Sequence, residues 1–574
     1  MKFRDCAAAV MGSPKSECQS RHTHRLLPAL HREGVPSLFS GFATCPGLFY
    51  ATPAADGILS RIRIPGGIIS SQQCRAIADI AEQHGGGYMD VTNRANLQIR
   101  EIRTGINAKV LKHLQDMKLG SGNPVIDHIR NIMTSPTAGI DPQELIDTRP
   151  FVEGWDDYIA AHPALSGLSA KFSVCFDGGG IIRVCDRLND LTFAAVLVDG
   201  NVYFRLYLSV GAKGQPPSDM GILLLPEKCL TVLAALADVY LAHSNTTSQG
   251  RLRLRELLNT LGCENYLQEV EQHLPFSLLC SETKKDLTSS LHSRSVSLAQ
   301  PLVEKRGKGE QSEGKYEHIG IYPQRQQGLF YIGVVLPLGR LESKQMRGLA
   351  DLAAKYGSGT LRLTPWQNLL LTDIPQQWVA DVQGEITFLG LDTSATNIKS
   401  ALVACSGKKG CASSATDTKD DALALTKYLE TRITLDYPVN IHFTGCEKSC
   451  AQHNKSDITL LGVSIEAENG TVEGYHVFVG DNKQKFGREI YKYVTFAELP
   501  TLIERILQVY KIQRLNSNES FGEFANRYAI AQLHQLFNHN SIQKRSTERL
   551  RHTPPGKQAT HSVPQESLKF KIPN

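Results

Sequence analysis

One segment of the chain occurs twice, and this repeat limits the fold more than any other feature. The segment "RIPGGIISSQQCRAIADIAEQHGGGYMDVTNRANL" begins at Arg63 and returns 272 positions later, at Val335, as "VLPLGRLESKQMRGLADLAAKYGSGTLRLTPWQNL". The alignment needs no gap. Its identities are Pro65/Pro337, Gly67/Gly339, Ala78/Ala350, Asp79/Asp351, Ala81/Ala353, Gly85/Gly357, Gly87/Gly359, Thr92/Thr364 and Asn96/Asn368. The repeat predicts a duplicated unit of about 230–270 residues.

Each copy is predicted to form a strand, a helix and a second strand. In the first copy, "GILSRIRI" alternates apolar and polar residues, as a half-buried strand does. Ser70 and Gln73 have the spacing of a capping box, which predicts a helix that Gly85 ends. Cys74 falls on the apolar face of that helix, where Met346 stands in the second copy, so we expect a core thiol.

Composition excludes several classes of protein. The 574 residues are 41% hydrophobic and 21% charged, with a net charge of +5, which does not indicate a nucleic-acid-binding protein. No apolar run is long enough to span a membrane. Residues 1–43 lack the apolar core of a secretory signal, so we expect a disordered extension on a cytoplasmic protein. Thirteen cysteines in such a chain argue against a disulfide framework.

The two copies differ in charge, and the difference predicts a site. After Thr92 the first copy reads "NRANLQIREIR", whereas the second copy has Trp366 in place of Arg94 and an apolar strand. Strand alternation would place Arg94, Asn96, Gln98 and Arg100 on one face. Arg94, Arg100 and Arg103 on and beside one strand would ordinarily form a solvent-exposed edge. Trp366, at the position equivalent to Arg94, favours a groove instead.

Two further basic positions follow in the first half of the chain. "DHIRNIMTSPTAG" contains Arg130 and Asn131 before a Ser-Pro turn, and "LSAKFSVCFDGGG" contains Lys171 at the start of a β-rich run. Each of these charges, taken singly, is more often a surface charge than a functional one.

Four cysteines are grouped as C-x5-C and C-x3-C: Cys405, Cys411, Cys446 and Cys450. Structural zinc favours other spacings, and a disulfide is not expected without an export signal. A [4Fe-4S] cluster fits best, because two loops separated by a helix ("ALALTKYLE") and a strand ("YPVNIHF") can supply four thiolates. Zinc and inert thiols stay open as alternatives.

These motifs resemble the nitrite and sulfite reductase superfamily, whose members carry a [4Fe-4S] cluster bridged to sirohaem. "CSGKKGC" and "GCEKSCAQH" are similar to the paired cluster motifs, which implies that the four grouped cysteines bind the cluster and that Cys450 bridges to the sirohaem iron. "DVTNRANLQIR", "IRN…SPTAGID" and "LSAKF" are similar to the motifs that face the macrocycle. The resemblance implies catalytic roles for Arg94, Arg130 and Lys171, and cofactor binding by Arg94, Asn96, Gln98, Arg100 and Asn131. A ring of cations suits a polycarboxylate macrocycle.

Two departures shift the predicted activity. Sulfite reductases have a second lysine two residues after the one that Lys171 matches, and this chain has Ser173 there. A multi-electron reduction needs proton donors, so the missing lysine argues against that activity. The segments "CPGLFYATPAADGILSRIRIPGG" and "KFSVCFDGGG" resemble precorrin-3B synthase, the family branch of aerobic cobalamin synthesis. We therefore predict a monooxygenase that uses O2 to hydroxylate precorrin-3A and form a lactone. The alternatives are a ferredoxin-dependent nitrite or sulfite reductase with sirohaem, and a tetrapyrrole-binding or storage protein without turnover.

The predicted fold class is α+β, a duplicated unit of ferredoxin-like half-domains with larger α/β modules that bind the cluster and the tetrapyrrole. The expected cofactors are a [4Fe-4S] cluster, sirohaem if the macrocycle is a cofactor, and an additional non-haem iron. The expected partners are a tetrapyrrole, O2 and an electron donor, either ferredoxin or an NAD(P)H system, acting on a monomer. The predicted domains are an extension (1–43), a first half-domain (44–120), a tetrapyrrole module (121–280), a linker (281–316), a second half-domain (317–390), a cluster module (391–540) and a disordered tail (541–574).

Overall fold

A computed structural model of the chain describes residues 47–50, 52–244, 246–247, 250–278, 316–453, 455–467, 470–480 and 485–538. The predicted extension (1–43) and tail (541–574) lie outside these residues, as does the predicted linker except for Tyr316. In the described part of the chain we find no helix with both the length and the apolar character that a membrane crossing requires.

The first half-domain supplies helices and four strands of a five-stranded sheet, and its third strand belongs to the sheet of the second half-domain. Its elements are β1 (Thr52–Ala54), β2 (Gly57–Ile62), β3 (Ile68–Ser70), α1 (Ser71–His84), β4 (Tyr88–Val91), β5 (Leu97–Ile102) and α2 (Ala108–Asp116). The predicted capping box is confirmed: Gln73 N–H donates to Ser70 Oγ at 3.1 Å, and Ser70 N–H donates to Gln73 Oε1 at 2.8 Å. Cys74 is fully buried in the core, as its place on the helix predicts.

The first module has a sheet that begins parallel and ends antiparallel, packed against helices. Its elements are β6 (Ile132–Thr134), α3 (Arg149–Ala161), β7 (Val174–Asp177), β8 (Leu191–Val198), β9 (Asn201–Leu208), β10 (Ser218–Leu224), α4 (Cys229–Ala242), β11 (Thr246–Thr247), β12 (Gly250–Arg251), α5 (Leu254–Leu261) and α6 (Cys263–Gln272). β6, β7 and β8 pair in parallel, and β9 and β10 continue the sheet antiparallel. An aromatic core that includes Trp155 and Phe193 lies beneath it.

The second half-domain repeats the first. Its elements are β13 (Gly320–Pro323), β14 (Leu329–Val334), β15 (Arg340–Glu342), α7 (Ser343–Tyr356), β16 (Thr360–Leu363), β17 (Leu369–Pro375) and α8 (Val379–Phe388). The unusual backbone positions repeat at the same offset of 272: Ala95 and Gln367 have φ of 53° and 62°, and Glu101 and Asp373 have φ of 57° and 62°. The two copies therefore share their turns as well as their helices and strands.

The two half-domains exchange short strands. β3 of the first pairs with β16 of the second, and β15 of the second pairs with β4 of the first. Both half-domains contribute to one hydrophobic core, because α1 packs on α7. The exchange is symmetric, and it ties the two halves of the chain into one structure around a local two-fold relation.

The second module repeats the sheet of the first. Its elements are β18 (Leu402–Ala404), α9 (Gly407–Gly410), α10 (Thr418–Glu430), β19 (Ile441–Thr444), β20 (Ile458–Ala467), β21 (Gly470–Val479), β22 (Arg488–Thr495), α11 (Leu499–Gln513), α12 (Phe521–Asn526) and α13 (Ile530–Asn538). β18, β19 and β20 are parallel and β21 and β22 antiparallel, in the order of β6 to β10. The predicted α+β fold with duplicated units is confirmed.

Candidate functional site

The four grouped cysteines follow the ends of two neighbouring strands. Cys405 comes directly after β18, and Cys446 comes two residues after β19, which pairs with β18 in parallel. Because parallel strands end at one edge of a sheet, the two cysteine loops meet there. The backbone joins them: Cys405 N–H donates to the Phe443 carbonyl at 3.1 Å, and Gly445 N–H donates to Cys405 Sγ at 3.3 Å.

The four thiols lie close enough to influence one another. Desolvation raises the pKa of the Cys450 thiol, and Cys446, Cys405 and Cys411 raise it further. All nine cysteines in the described part of the chain are free thiols. The sequence thus brings its four predicted cluster ligands together at one place.

A single metal ion would need its ligands gathered closely around one point. A zinc ion holds sulfurs at about 2.3 Å, so its cysteine sulfurs lie within about 4 Å of each other. Nowhere among the described residues do three His, Cys, Asp or Glu side chains gather closely enough for one ion. The binding of a [4Fe-4S] cluster by the four grouped cysteines stays a prediction at this point. The additional non-haem iron stays a prediction to which the described residues assign no ligands.

Glycines let the cysteine loops pack closely. A Cβ at Gly445 would lie 1.6 Å from Ser414 Oγ, and a Cβ at Gly410 would lie 2.6 Å from Arg100 Nη2. Thr418, at the start of α10, places its hydroxyl 3.3 Å from Cys405 Sγ. Hydrogen-bond donors around the sulfurs are the environment that thiolate ligands require.

The first module has the same strands without the thiols. Ser135 follows β6 where Cys405 follows β18, and Gly179 stands two residues after β7 where Cys446 stands two residues after β19. Asp177 accepts hydrogen bonds from Gly179, Val184 and Cys185 N–H groups at 2.7–2.9 Å, which closes this loop on itself. The scaffold is present twice, and the described thiol group only once.

A cavity with about 1080 Å³ of open space, part of it open to solvent, adjoins the C-x3-C loop. Arg94 and Trp366 both line it, so the two positions related by the repeat meet at one cavity and the predicted groove is confirmed. Asn93, beside Arg94, donates from Nδ2 to the Cys450 carbonyl at 3.1 Å. The turn that carries Arg94 therefore contacts the cluster loop directly.

Arg94 is held in place by the first module. Its Nη1 donates to Asn189 Oδ1 at 2.6 Å, and its Nη2 donates to the Leu188 carbonyl at 2.5 Å. In the same lining, Arg187 stacks on Trp366 with its guanidinium carbon 4.5 Å from the ring centre, and His318 stacks on the same ring at 4.4 Å. The lining is thus cationic and aromatic.

Positive charge is concentrated around His453, whose ring is exposed to the cavity. The surrounding protein excludes bulk water, and this desolvation lowers the pKa of the imidazole to about 4, together with four nearby cations: Arg94, Lys485, Lys213 and Lys171. Lys171 and Arg94 therefore both act electrostatically on this ring, and their roles toward a macrocycle stay predictions. Lys213 and Lys485 are additional, and sequence reasoning missed them because each lies in a polar loop without a motif.

The placement of Arg94 on a strand is wrong. β5 begins at Leu97, and Arg94 lies in the preceding turn, so strand alternation does not group it with Gln98 and Arg100. Gln98 instead faces the Arg61 guanidinium, and with the amide oriented so that its oxygen points there, Oε1 accepts from Arg61 Nη2 at 2.7 Å. Buried Arg100 pairs with Asp56.

The remaining predicted residues also make contacts within the protein. Arg130 is buried and bidentate with Asp156 at 2.7 and 2.8 Å, with Asp127 3.5 Å away. Asn96 donates to Asn131 Oδ1 at 3.1 Å. Six of the predicted site residues are absent from the described lining of the cavity: Asn96, Gln98, Arg100, Arg130, Asn131 and Lys171. Their roles toward the macrocycle stay predictions.

Comparison with known proteins gives family matches over most of the chain. The family described as "Nitrite and sulphite reductase 4Fe-4S domain" matches residues 126–278 and 396–544. The "Nitrite/Sulfite reductase ferredoxin-like half domain" matches residues 52–117 and 322–389. The structure of the Mycobacterium tuberculosis NirA protein superposes with a TM-score of 0.67 at 24% identity, over 83% of this chain and 84% of that chain, which shows a shared fold.

Curated relatives agree in their names. The "Ferredoxin--nitrite reductase" of Synechococcus elongatus is 28% identical over 80% of this chain and 88% of its own length. The chloroplastic "Ferredoxin--nitrite reductase" of Zea mays is 30% identical over 76% of this chain and 75% of its own length. The "Assimilatory ferredoxin-dependent nitrite reductase" of Haloferax mediterranei is 26% identical over 79% of this chain.

These relatives overturn the predicted activity. The expectation of a precorrin-3B synthase-like monooxygenase with O2 and a tetrapyrrole substrate is wrong, because relatives across most of the chain are named nitrite reductases. The inference from Ser173 failed for a structural reason: its side chain is buried and bonds Asp190 Oδ2 at 3.1 Å, within an ion pair of Asp190 with Arg253. The residue at this position is thus part of the module's interior.

The family matches also bear on the cofactors. The four cysteines that the structure brings together lie in the second segment matched by the 4Fe-4S domain. The cationic cavity beside them has the chemistry that a polycarboxylate sirohaem requires. An iron–sulfur oxidoreductase with a [4Fe-4S] cluster coupled to sirohaem is consistent with every part of this site. The chain belongs to the nitrite and sulphite reductase family.

Proposed function

We propose that this chain is a ferredoxin-dependent nitrite reductase. The observation that carries the proposal is a cationic cavity against the backbone of Cys450, in a chain 28–30% identical to relatives named ferredoxin–nitrite reductases. Nitrite is a small anion, and a cavity lined by Arg94, Arg187 and Lys455 attracts it and raises its local concentration.

Cys405, Cys411, Cys446 and Cys450 would hold the cluster, and the cations around the cavity would bind the carboxylates of sirohaem. When bound, these two groups supply the electrons and the site at which nitrite is reduced. The C-x3-C loop would bring the two groups together, since Asn93 lines the cavity and contacts the Cys450 carbonyl.

Arg94 has the clearest role among the protein groups. Its guanidinium is fixed by Asn189 and by the Leu188 carbonyl, so little side-chain entropy is lost when it binds an anion. A fixed cation also stabilises negative charge in the transition state, where a preorganised donor is worth more than one that must reorganise.

Lys171 is the second candidate for direct action. Its side chain is exposed and close enough to His453 to affect the pKa of that ring. A protonated lysine near the cavity would donate a proton to bound nitrite and be recharged from solvent. It would act beside Arg94, which cannot lose its own proton at neutral pH.

Ferredoxin is the proposed electron donor, on the names of the relatives. A location in the cytoplasm and a monomeric state stay predictions. The second candidate from the sequence, a binding or storage protein for tetrapyrroles, would bind the macrocycle without turnover, and the same experiment distinguishes it.

The test is an anaerobic assay of purified, cofactor-loaded protein with reduced ferredoxin, following the loss of nitrite and the formation of ammonium. We expect nitrite turnover, slower or absent turnover of sulfite, and loss of activity in Cys446→Ser. Sulfite turnover without nitrite turnover would overturn the proposal that nitrite is the substrate. Tight binding of sirohaem with no turnover of either anion would overturn the enzyme assignment.

A further inference from the structure

Arg100 contacts one of the cysteine loops, and its predicted role in binding the macrocycle does not explain this contact. The sequence predicts that it faces the macrocycle, yet its side chain is only 4% exposed and lies beside the C-x5-C loop. Its Nη2 donates to the Gly410 carbonyl at 2.7 Å, and Gly410 immediately precedes Cys411. We propose that Arg100 and Asp56 form a buried ion pair that positions the Cys411 loop and sets the reduction potential of the cluster.

The geometry of the pair is well defined. Arg100 Nε donates to Asp56 Oδ2 at 2.8 Å, and its Nη2 donates to Asp56 Oδ1 at 3.0 Å. Asp56 lies in the turn between β1 and β2, and its side chain is 14% exposed. A bidentate pair fixes the plane of the guanidinium, which leaves Nη2 aimed at the Gly410 carbonyl.

The Gly410 carbonyl needs a donor from outside its own helix. It is the last residue of α9, a helix of four residues (Gly407–Gly410), and the last carbonyls of a helix have no partner within it. A guanidinium at this helix end satisfies the carbonyl and is favoured electrostatically. Gly410 also has no Cβ to keep Arg100 away, since one would lie 2.6 Å from Nη2.

The pair also places two opposite charges next to the cluster loop. Net charge and hydrogen bonding around a cluster are two of the properties that set its potential. With both partners present the pair is neutral. Removing one leaves a buried, unpaired charge of known sign. Asp56 alone would disfavour the addition of an electron to the cluster, and Arg100 alone would favour it.

The chain contains a matched control in the other module. Arg362 on β16 is also buried, and its Nη1 donates to the carbonyls of Pro136 at 3.1 Å and Ala138 at 2.6 Å. Those carbonyls belong to the loop after β6, where Ser135 replaces the first cluster cysteine. Arg362→Gln therefore removes a similar buried arginine from a loop without cluster ligands.

The experiment is a potentiometric titration of the cluster, monitored by its paramagnetic resonance signal, in the purified holoprotein. We expect Arg100→Gln to lower the cluster potential or to reduce iron and sulfide per chain, and Asp56→Asn to raise the potential. Arg362→Gln should lower the melting temperature without moving the potential. Gly410→Ala, which displaces the guanidinium, should reproduce part of the effect of Arg100→Gln.

Opposite shifts of the cluster potential are the result that a merely structural role would not give. The proposal is overturned if Arg100→Gln and Asp56→Asn retain the cluster and move its potential in the same direction or not at all. Where Arg100→Gln does not fold, Asp56→Asn alone decides, because it keeps the arginine and the shape of its partner. The inference rests on the cluster and not on nitrite as substrate, so it can fail while nitrite turnover persists.

Discussion

At the scale of single residues, the site depends on charges held in fixed positions. Arg94 faces the cavity because Asn189 and the Leu188 carbonyl hold its guanidinium, whereas Arg130 is neutralised by Asp156 and Asp127. The sequence presents both as arginines in basic motifs. What separates them is the pairing of one with carboxylates, which only the folded chain defines.

The role of Arg94 can be tested by substitution. Arg94→Gln removes a charge-assisted hydrogen bond of about 1.5–3 kcal/mol, so we expect kcat/KM for nitrite to fall roughly 10- to 100-fold, with less sirohaem retained. Arg103→Gln is the control, since Arg103 is exposed beyond β5. Equal effects of the two substitutions on steady-state kinetics would contradict the role of Arg94.

Glu144 predicts a pH dependence of stability. Burial raises the pKa of its carboxyl from 4.5 to about 7; Asp147 and Asp141 add to the increase, and the Gly139 N–H and Arg325 oppose it. Arg149 and Arg362 also face this carboxyl. Because the folded state keeps a proton that the unfolded state has released, the free energy of unfolding falls as pH rises from about 4.5 to 7.

Glu144→Gln should remove that part of the pH dependence. The urea midpoint of the wild type should fall relative to the variant between pH 5 and pH 8, over the range set by the two pKa values. Glu153→Gln, at an exposed position on α3, serves as the control. Parallel midpoints for wild type and Glu144→Gln across this range would show that Glu144 does not hold the proton.

At the scale of elements, much of the fold could be predicted from the sequence. Helix α1 with its capping box, strand β19 and helix α10 follow from local spacing, because caps and periodicity are local properties. The exchange of β3 and β15 between half-domains could not be predicted, because the sequence of a three-residue strand does not specify which strand it pairs with. The same limit applies to Lys213 and Lys485, which reach His453 only through the tertiary fold.

The packing of α1 on α7 gives a prediction at this scale. Leu349 and its repeat counterpart Ile77 are both fully buried in the shared core. Leu349→Ala should lower the free energy of unfolding by about 2–5 kcal/mol, through lost burial and a cavity. Calorimetry of the holoprotein measures this as a lower melting temperature.

The surface ion pair beside this packing provides the contrast. Arg75 and Asp351 lie 2.7 Å apart, but their side chains are 41% and 68% exposed. Asp351→Asn should change the free energy of unfolding by less than about 1 kcal/mol. A larger loss from Asp351→Asn than from Leu349→Ala would mean that the half-domains are held by charge and not by their core.

At the scale of the whole molecule, the described part of the chain contains the module scaffold twice and the grouped cysteines once. The first module positions Arg94 and closes its own loop with Asp177, and the second module supplies the four thiols. The first half-domain joins them, because Asn93 and Arg100 each contact one cysteine loop. The site therefore depends on contributions from both halves of the duplicated chain.

One cluster and one sirohaem should lie together at this site. Iron, acid-labile sulfide and extracted tetrapyrrole should be measured in protein purified anaerobically. We expect about five iron atoms, about four sulfides and one sirohaem per chain, with both sulfide and cluster absorbance lost in Cys446→Ser. Full iron and sulfide in Cys446→Ser, or a wild-type protein that binds no sirohaem when supplied with it, would contradict the account.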